Sequence, residues 1–322
     1  MSQGYGHDSY FGWAVETTYG TPVHPPTIFG YVPEIQDSVG RAPIVVRRLG
    51  QVSPKQVITG KMNGMINVAP DFLWEGVETL LKRCMGSVNT TGPVGGIYTH
   101  AFSLAAALGQ ITGYVNKDAG AIGGSTADQY SACKVSKWTL IQESEQPLRL
   151  ELELLPKNVA SVALVALTFP TYDPVTYDQM SEAVMNPASE NYALQIQNFK
   201  LSCDNALDDD HYVLTGVGLR AAAGRKEGRT ATLEADLLYD SRTWVTHYRA
   251  GDKIDMRFKW VNTANANKIL TVTVPRVTFD GAPPSVGDLG KIKISSKHTL
   301  LANAADHDEL TVSLTNTVSS VS

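Results

Sequence analysis

Apolar and polar positions alternate with a period of two along most of this chain. Ile254, Met256, Phe258 and Trp260 are separated by Asp255, Arg257 and Lys259, and Leu148, Leu150, Leu152 and Leu154 by Arg149, Glu151 and Glu153. That is the pattern of a strand with one face on a core. Further strands are predicted over 28–36, 57–68, 97–103, 111–116, 133–140, 192–203, 211–217, 229–237, 269–279, 291–296 and 310–314, many rich in Val, Ile, Thr and aromatics. A helical period interrupts them strongly once. Leu73, Val77, Leu80 and Cys84 recur at three- and four-residue spacing, as do Trp74 and Leu81. Asp71 is the expected cap, Glu75 and Glu78 lie early, Lys82 and Arg83 late, and Gly86 ends the run. A shorter copy is predicted after Asp240 or Ser241, with Trp244, Val245 and Tyr248 inward, then Arg249 and Gly251. Trp74, Trp138, Trp244 and Trp260 sit at apolar phases and are expected in the core.

One half of the chain can be laid on the other. The run 61–71 precedes the helix carrying Trp74, and the run 230–240 precedes the one carrying Trp244. Asp71 and Asp240, Val68 and Leu237, and Ile66 and Ala235 keep one offset of 169 positions. Upstream, strand 28–36 ends at Asp37-Ser38 and strand 192–203 at Asp204-Asn205, each before a long connection containing Gly and Arg, 38–56 and 205–228. The shared order of strand, long loop, strand, helix and strands predicts a duplicated mainly-β fold, a sandwich or barrel with one flanking helix per unit. The expected units are 1–169 with an N-terminal arm and 191–322 with a C-terminal segment, joined by the Pro- and polar-rich linker 170–190.

The 322 residues suit two such units. With 43% apolar residues the chain is not expected to be disordered. No apolar run reaches the length of a membrane span, and the start MSQGYGHDSY lacks the features of a secretory signal. The net charge of −5 divides as 12 Lys+Arg against 13 Asp+Glu in residues 1–160, and 15 against 19 in residues 161–322. A basic excess for gripping nucleic acid is missing. Cys84, Cys133 and Cys203 form no CxxC and are read as small buried hydrophobes of a reducing compartment.

Candidate chemistry is thin. Gly216-Val217-Gly218-Leu219-Arg220-Ala221 fits a dinucleotide fingerprint formally, yet the glycine-broken run after it cannot supply the required helix. Asp208, Asp209 and Asp210 beside His211 lack the spacing of a calcium loop, so a solvated turn is expected. The seven histidines show no paired spacing, and no G-x-S-x-G occurs. No cofactor, metal or catalytic residue is expected. An enzyme reading would have to rest on His100, His211 or the Asp208–Asp210 cluster. More informative is the loop Arg41–Lys55. It interleaves Arg41, Arg47, Arg48 and Lys55 with Ile44, Val45, Val46 and Leu49, and its counterpart carries Arg220, Arg225, Lys226 and Arg229. Loops this long are usually functional, and these apolar residues need burial that a partner subunit can give. Both loops are expected to be contact arms.

The chain resembles the major tail tube proteins of long-tailed bacteriophages. The likeness lies in Tyr5-Gly6, Tyr10-Phe11-Gly12 and Glu16-Thr17-Thr18-Tyr19-Gly20-Thr21-Pro22, then in Leu80-Leu81-Lys82-Arg83-Cys84-Met85-Gly86. It resumes at Tyr98–Phe102 and Cys133–Leu140, and in outline at Asn198–Leu201, Asp204-Asn205 and Pro275-Arg276-Val277. The resemblance implies a tube fold whose sheets join those of neighbours into an inner barrel, with the tandem variety forming pseudo-hexameric rings of three chains. Stacked rings conduct the genome, and the loop between the second and third strands reaches the adjacent ring. By position that loop is 38–56, with 205–228 as its copy. Implied partners are the chain itself, tape-measure, terminator and baseplate or distal tail proteins, and double-stranded DNA in passage. The implied location is a virion tail assembled in the host cytoplasm. A terminator or baseplate ring, or a secretion-system tube protein of the same fold, is the alternative. Along strands 57–68 and 229–237, Ile66, Val68, Leu233 and Leu237 are expected to face the helices. Lys61, Asn63, Asn67, Thr232, Glu234 and Asp236 are then expected to line the channel.

Overall fold

The computed structural model describes residues 10–30, 32–46, 53, 56–116, 126–165, 173–185, 190–191, 196–213, 218–238, 246, 249–279, 293–302 and 308–321. The period-two segments form strands that pair antiparallel throughout. Their order is organised by two long strands, Thr126–Gln142 and Ile269–Phe279, each broken by a register shift or bulge. Each of them contributes to two sheets, as a bulged strand that bends can.

A long sheet runs Ile35–Asp37, Ile66–Val68, Arg149–Leu155, the C-terminal part of Thr126–Gln142, Ile196–Asp204, Thr230–Leu238, Lys293–Leu300 and the end of Ile269–Phe279. A second sheet runs Ile28–Gly30, Tyr10–Glu16, Gln110–Asn116, the N-terminal part of Thr126–Gln142 and Asn158–Ala163. A third runs Glu190–Asn191, Met180–Met185, Ile254–Val261, Ile269–Phe279, Thr311–Asn316, Ile97–Leu104 and Gly86–Val94. The order of pairings in the first four strands of the long sheet recurs in its last four, and the second sheet's order recurs in the first five strands of the third. The hairpin of Gly86–Val94 and Ile97–Leu104 has no counterpart among the described residues. It covers the edge of Thr311–Asn316, so the chain's last strand is held by its first half.

The sheets are layered as a mainly-β sandwich around one apolar cluster. Trp138, Leu140, Leu150, Leu152, Leu154, Leu201 and Leu233 from one face of the long sheet meet Phe258, Trp260, Leu270 and Val272 of the third sheet in it. Phe199 joins the layers, with its ring centre 4.8 Å from that of Phe258 and 5.4 Å from that of Trp260. Cys84, Cys133 and Cys203 are buried and unbridged, and burial raises all three thiols. Trp74 is buried too, whereas Trp244 lies outside the described residues, as do residues 239–245 of the second predicted helix.

Several sequence expectations are corrected. The helix spans Glu78–Met85, with Val77 and not Asp71 at its N-cap; Gly86 ends it in the left-handed conformation. Residues 71–74 are taken up by extended bridges, Asp71 to Arg149 and Leu73 to Pro174, which withdraw their backbone from a helix. Strand 28–36 divides into Ile28–Gly30 and Ile35–Asp37, and strand 57–68 into Gln56–Asn63 and Ile66–Val68. The second break falls at Gly64, with φ +114°, where a Cβ would lie 2.3 Å from the Ser38 carbonyl oxygen. In 211–217 only Tyr212 bridges, to Arg220, and 214–217 lie outside the described residues. Tyr10–Glu16, Gly40–Val46, Gly86–Val94, Asn158–Ala163 and Met180–Met185 are strands without a prediction. Within 170–190, Val175 is buried and exchanges backbone hydrogen bonds with Phe72 and Leu148, while Met180–Met185 pairs with Ile254–Val261.

Candidate assembly surfaces

Two surfaces combine sequence-predicted residues with exposure. The first is the polar face of the long sheet. Period two turns Ile66, Val68, Leu152, Trp138, Leu201 and Leu233 inward, so their neighbours form rows on the other face. One row follows the register Gln36, Asn67, Glu153, Lys137, Asp204, Thr230; another follows Glu151, Thr139, Ser202, Thr232, Thr299. A third places Glu234 between Lys200 and Lys297, and Asp236 stands opposite Asn198. The Lys137 ammonium is 3.5 Å from the Asp204 carboxylate and that of Lys297 is 3.4 Å from Glu234. Asn198 donates to Asp236 at 2.8 Å. Such exposed pairs add little stability; they neutralise charge locally. Glu34, Gln36, Asn67, Lys137, Glu151 and Glu153 also line a shallow cleft of about 260 Å³.

Four of the six predicted channel residues, Asn67, Thr232, Glu234 and Asp236, share this face. Lys61 and Asn63 do not. The break at Gly64 puts them on a separate two-stranded ribbon of Gly40–Val46 and Gln56–Asn63. Sequence reasoning missed Lys137, Glu151, Glu153, Lys200, Asp204 and Lys297, although the alternation through 148–154 already set Glu151 and Glu153 on the side opposite the leucines.

The ribbon is the second surface. Ile44 faces Ile58 across it and Val45 faces Val57. Successive pairs point to opposite faces, so both faces are apolar. Ile44 is 50% exposed, Val45 47%, Val57 62% and Ile58 44%. Val46 is half-buried. Arg41 is exposed and donates to the Gly60 carbonyl at 3.3 Å. Arg47, Arg48 and Lys55 lie outside the described residues. Val57 and Ile58 escaped prediction because they were counted into a core strand.

The expected second arm, 205–228, is built differently. Its described residues fold onto the first half. Leu207 and Ala223 pack with Leu108, Leu155 and Met65 in a small apolar cluster, and Leu207 bridges Arg225. Arg220, expected at an exposed contact, is 3% exposed. Its guanidinium donates to the carbonyls of Asp209 at 3.0 Å and Pro156 at 2.8 Å, and to the Asn63 side-chain oxygen at 3.4 Å. Arg225 donates to the Ala105 carbonyl at 2.7 Å. Lys226 is exposed, 3.7 Å from Asp209. The corrected placement has a simple cause: guanidinium groups here satisfy carbonyls left free by irregular backbone, which would otherwise be buried unpaired.

The positions suggested for an enzyme are not gathered. His100 is buried in its strand, between the Thr90 hydroxyl at 2.9 Å and the Val318 carbonyl at 2.9 Å. His211 and Asp210 are exposed, the latter paired with Lys61. Among the described residues no group of three His, Cys, Asp or Glu is placed to hold a metal ion, and no helix is long and apolar enough to cross a membrane.

Compared with known families, residues 6–316 match the model of the family described as phage tail tube protein. No curated protein matches the chain.

Proposed function

From the premise that this chain belongs to the phage tail tube family, and is thus a structural component of the virion tail, we propose that three copies close into a pseudo-hexameric ring and that rings stack into a hollow tube conducting double-stranded DNA. The observation that carries this reading is the recurring order of pairings in the long sheet. Its junction inside the chain is Lys137–Gln142 against Ile196–Asp204. The strand corresponding to Ile196–Asp204 in the first half is Ile35–Asp37, whose other edge pairs with no strand among the described residues. An open edge invites a further strand, and a ring of heterologous contacts removes all such edges. The matching stretch of the second half follows Phe279 and lies outside the described residues. The same recurrence supports two tandem units, but with Met180–Met185 in the place of Tyr10–Glu16. The second unit therefore takes in strand residues from the expected linker 170–190 instead of starting at 191.

In that ring the polar face of the long sheet lines the bore. Asn67, Thr232, Glu234 and Asp236 remain the proposed lining, now joined by Lys137, Glu151, Glu153, Lys200, Asp204 and Lys297. Lys61 and Asn63 leave it. Duplex DNA carries one charge per ~1.7 Å, and a wall with locally neutralised charge and no basic excess gives it little to hold. The ribbon, with Arg41, Val45 and Val46, supplies the contact between rings. No step of bond making or breaking enters this role. Tape-measure, terminator and distal tail proteins are the remaining proposed partners. Native mass spectrometry of an isolated ring tests the reading: a mass of three chains is expected, and a monomer that never assembles beside its tail partners would overturn it.

A further inference from the structure

We infer that the two long loops have divided the labour of one arm: the ribbon of residues 40–63 is the chain's single inter-ring arm, and the loop 205–228 is a clamp that aims it from within the same chain. The inference rests on the ribbon being a stacking contact, as proposed above, and adds that the second half contributes no arm of its own.

The ribbon's root is held by the Ser38–Met65 pair, where the Ser38 amide donates to the Met65 carbonyl at 3.0 Å, and by the second loop. The Met62 amide donates to the Gly218 carbonyl at 2.7 Å, and the Tyr212 hydroxyl donates to the Met62 carbonyl. Lys61 pairs with Asp210 and lies 4.5 Å from the centre of the Tyr212 ring. Gly218, at φ +72°, presses its backbone on the root so closely that a Cβ would sit 3.3 Å from the Lys61 Cα. Arg220 reaches Asn63 beside the break at Gly64 and ties both to Pro156. Leu207 and Ala223 seat the loop on Leu108 and Leu155. The ribbon turns off the long sheet at Gly64, where the Ser38–Met65 pair is what carries the backbone pairing across, and the second loop braces the turn. The fixed direction comes from these ties.

The difference between the loops is one of exposure. The ribbon presents four large apolar side chains on two faces; the described part of the second loop presents Val213 alone, at 46% exposure. A second copy of this chain is the occupant that fits the ribbon, because the apolar pairs Ile44–Ile58 and Val45–Val57 repeat once per chain and a stacked ring offers the same receiving surface each time. A ring of three then carries three arms rather than six.

Three sets of variants test this, with stacking followed by electron microscopy and exchange of peptide 56–65 followed by hydrogen–deuterium mass spectrometry on unassembled chain. Asp210→Asn with Tyr212→Phe is expected to speed exchange around Met62 about tenfold, leave the core protected, and shorten or abolish tubes while rings persist. Val45→Asp with Val57→Asp is expected to abolish stacking without changing exchange at Met62. Ala222→Asp with Glu227→Lys, on exposed positions of the second loop, is expected to leave stacking intact. Loss of stacking in this last pair would show a second arm and overturn the inference. Unchanged exchange and stacking in the Asp210/Tyr212 pair, with stacking lost in the Val45/Val57 pair, would overturn the clamp and leave the ring-stacking function standing. Stacking that survives Val45→Asp with Val57→Asp would instead remove the ribbon as a contact, and the single-arm inference with it.

Discussion

Glu16 shows how much a single buried side chain decides here. It is 2% exposed, and its carboxylate accepts from the Gly20 amide, from the Thr112 hydroxyl at 3.0 Å and from the Ala132 amide at 2.8 Å. Ala132 has φ +50° and sits at the irregularity where Thr126–Gln142 passes from one sheet to another. Glu16 therefore pins the bend that joins two layers. Glu16→Ala would leave buried donors without partners, a cost of about 1–3 kcal/mol for each such group. Urea unfolding should show a midpoint shift larger than that of an exposed control, Glu227→Ala. Leu152 lies at the centre of the long sheet with 2% exposure. Leu152→Ala is expected to cost about 2–5 kcal/mol by leaving a cavity, read from the same unfolding curves.

At the level of elements, the hairpin Gly86–Leu104 and the C-terminal strand Thr311–Asn316 act as one clasp between the halves. Asn316 donates to the Trp74 carbonyl at 2.9 Å and to Glu78, Thr317 donates to Glu75, and Lys82 donates to the Val321 carbonyl at 3.1 Å. His100 belongs to this clasp. With Thr90 donating to one ring nitrogen and Val318 accepting from the other, its imidazole is held neutral, and burial pushes its pKa below the usual histidine range. The unfolded chain then binds this proton more readily than the folded one. Stability from this residue is complete above about pH 6.5 and falls as pH drops from there toward the folded value. His100→Gln should flatten that slope, so unfolding midpoints of wild type and variant, compared at pH 7.5 and 5.5, should diverge less at the lower pH. Glu78, also buried, shifts the opposite way, upward, through desolvation.

For the whole molecule, the balance of charge on the polar face matters more than any one pair. Glu234 and Asp236 offset Lys200, Lys297 and their neighbours. Glu234→Lys with Asp236→Lys turns the proposed bore wall basic. Tubes should still form, because these side chains point away from the core. They should retain duplex DNA at 50 mM salt and release it at several hundred millimolar, as phosphate contacts do. Wild-type tubes should retain none, which a filter-binding titration across salt would check.

Much of this protein was legible in its residue order. Period-two alternation placed most central strands, because an amphipathic strand exposes its partition on one face. The offset of 169 pointed to two related halves, and the buried tryptophans and leucines followed from their phase. Loops and breaks were not legible, since they depend on partners distant in the chain. Asp71 looked like a cap until Arg149 and the bridges beside it took up that stretch as extended backbone. Lys61 continued an alternating run, yet one glycine at φ +114° turned it off the sheet toward Asp210, about 150 positions away. Two loops of similar composition met opposite fates, one projecting and one seated. Local patterning fixes what an element wants to bury; only long-range packing decides which backbone groups lack partners, and therefore which arginine is drawn inside and which valine is left exposed.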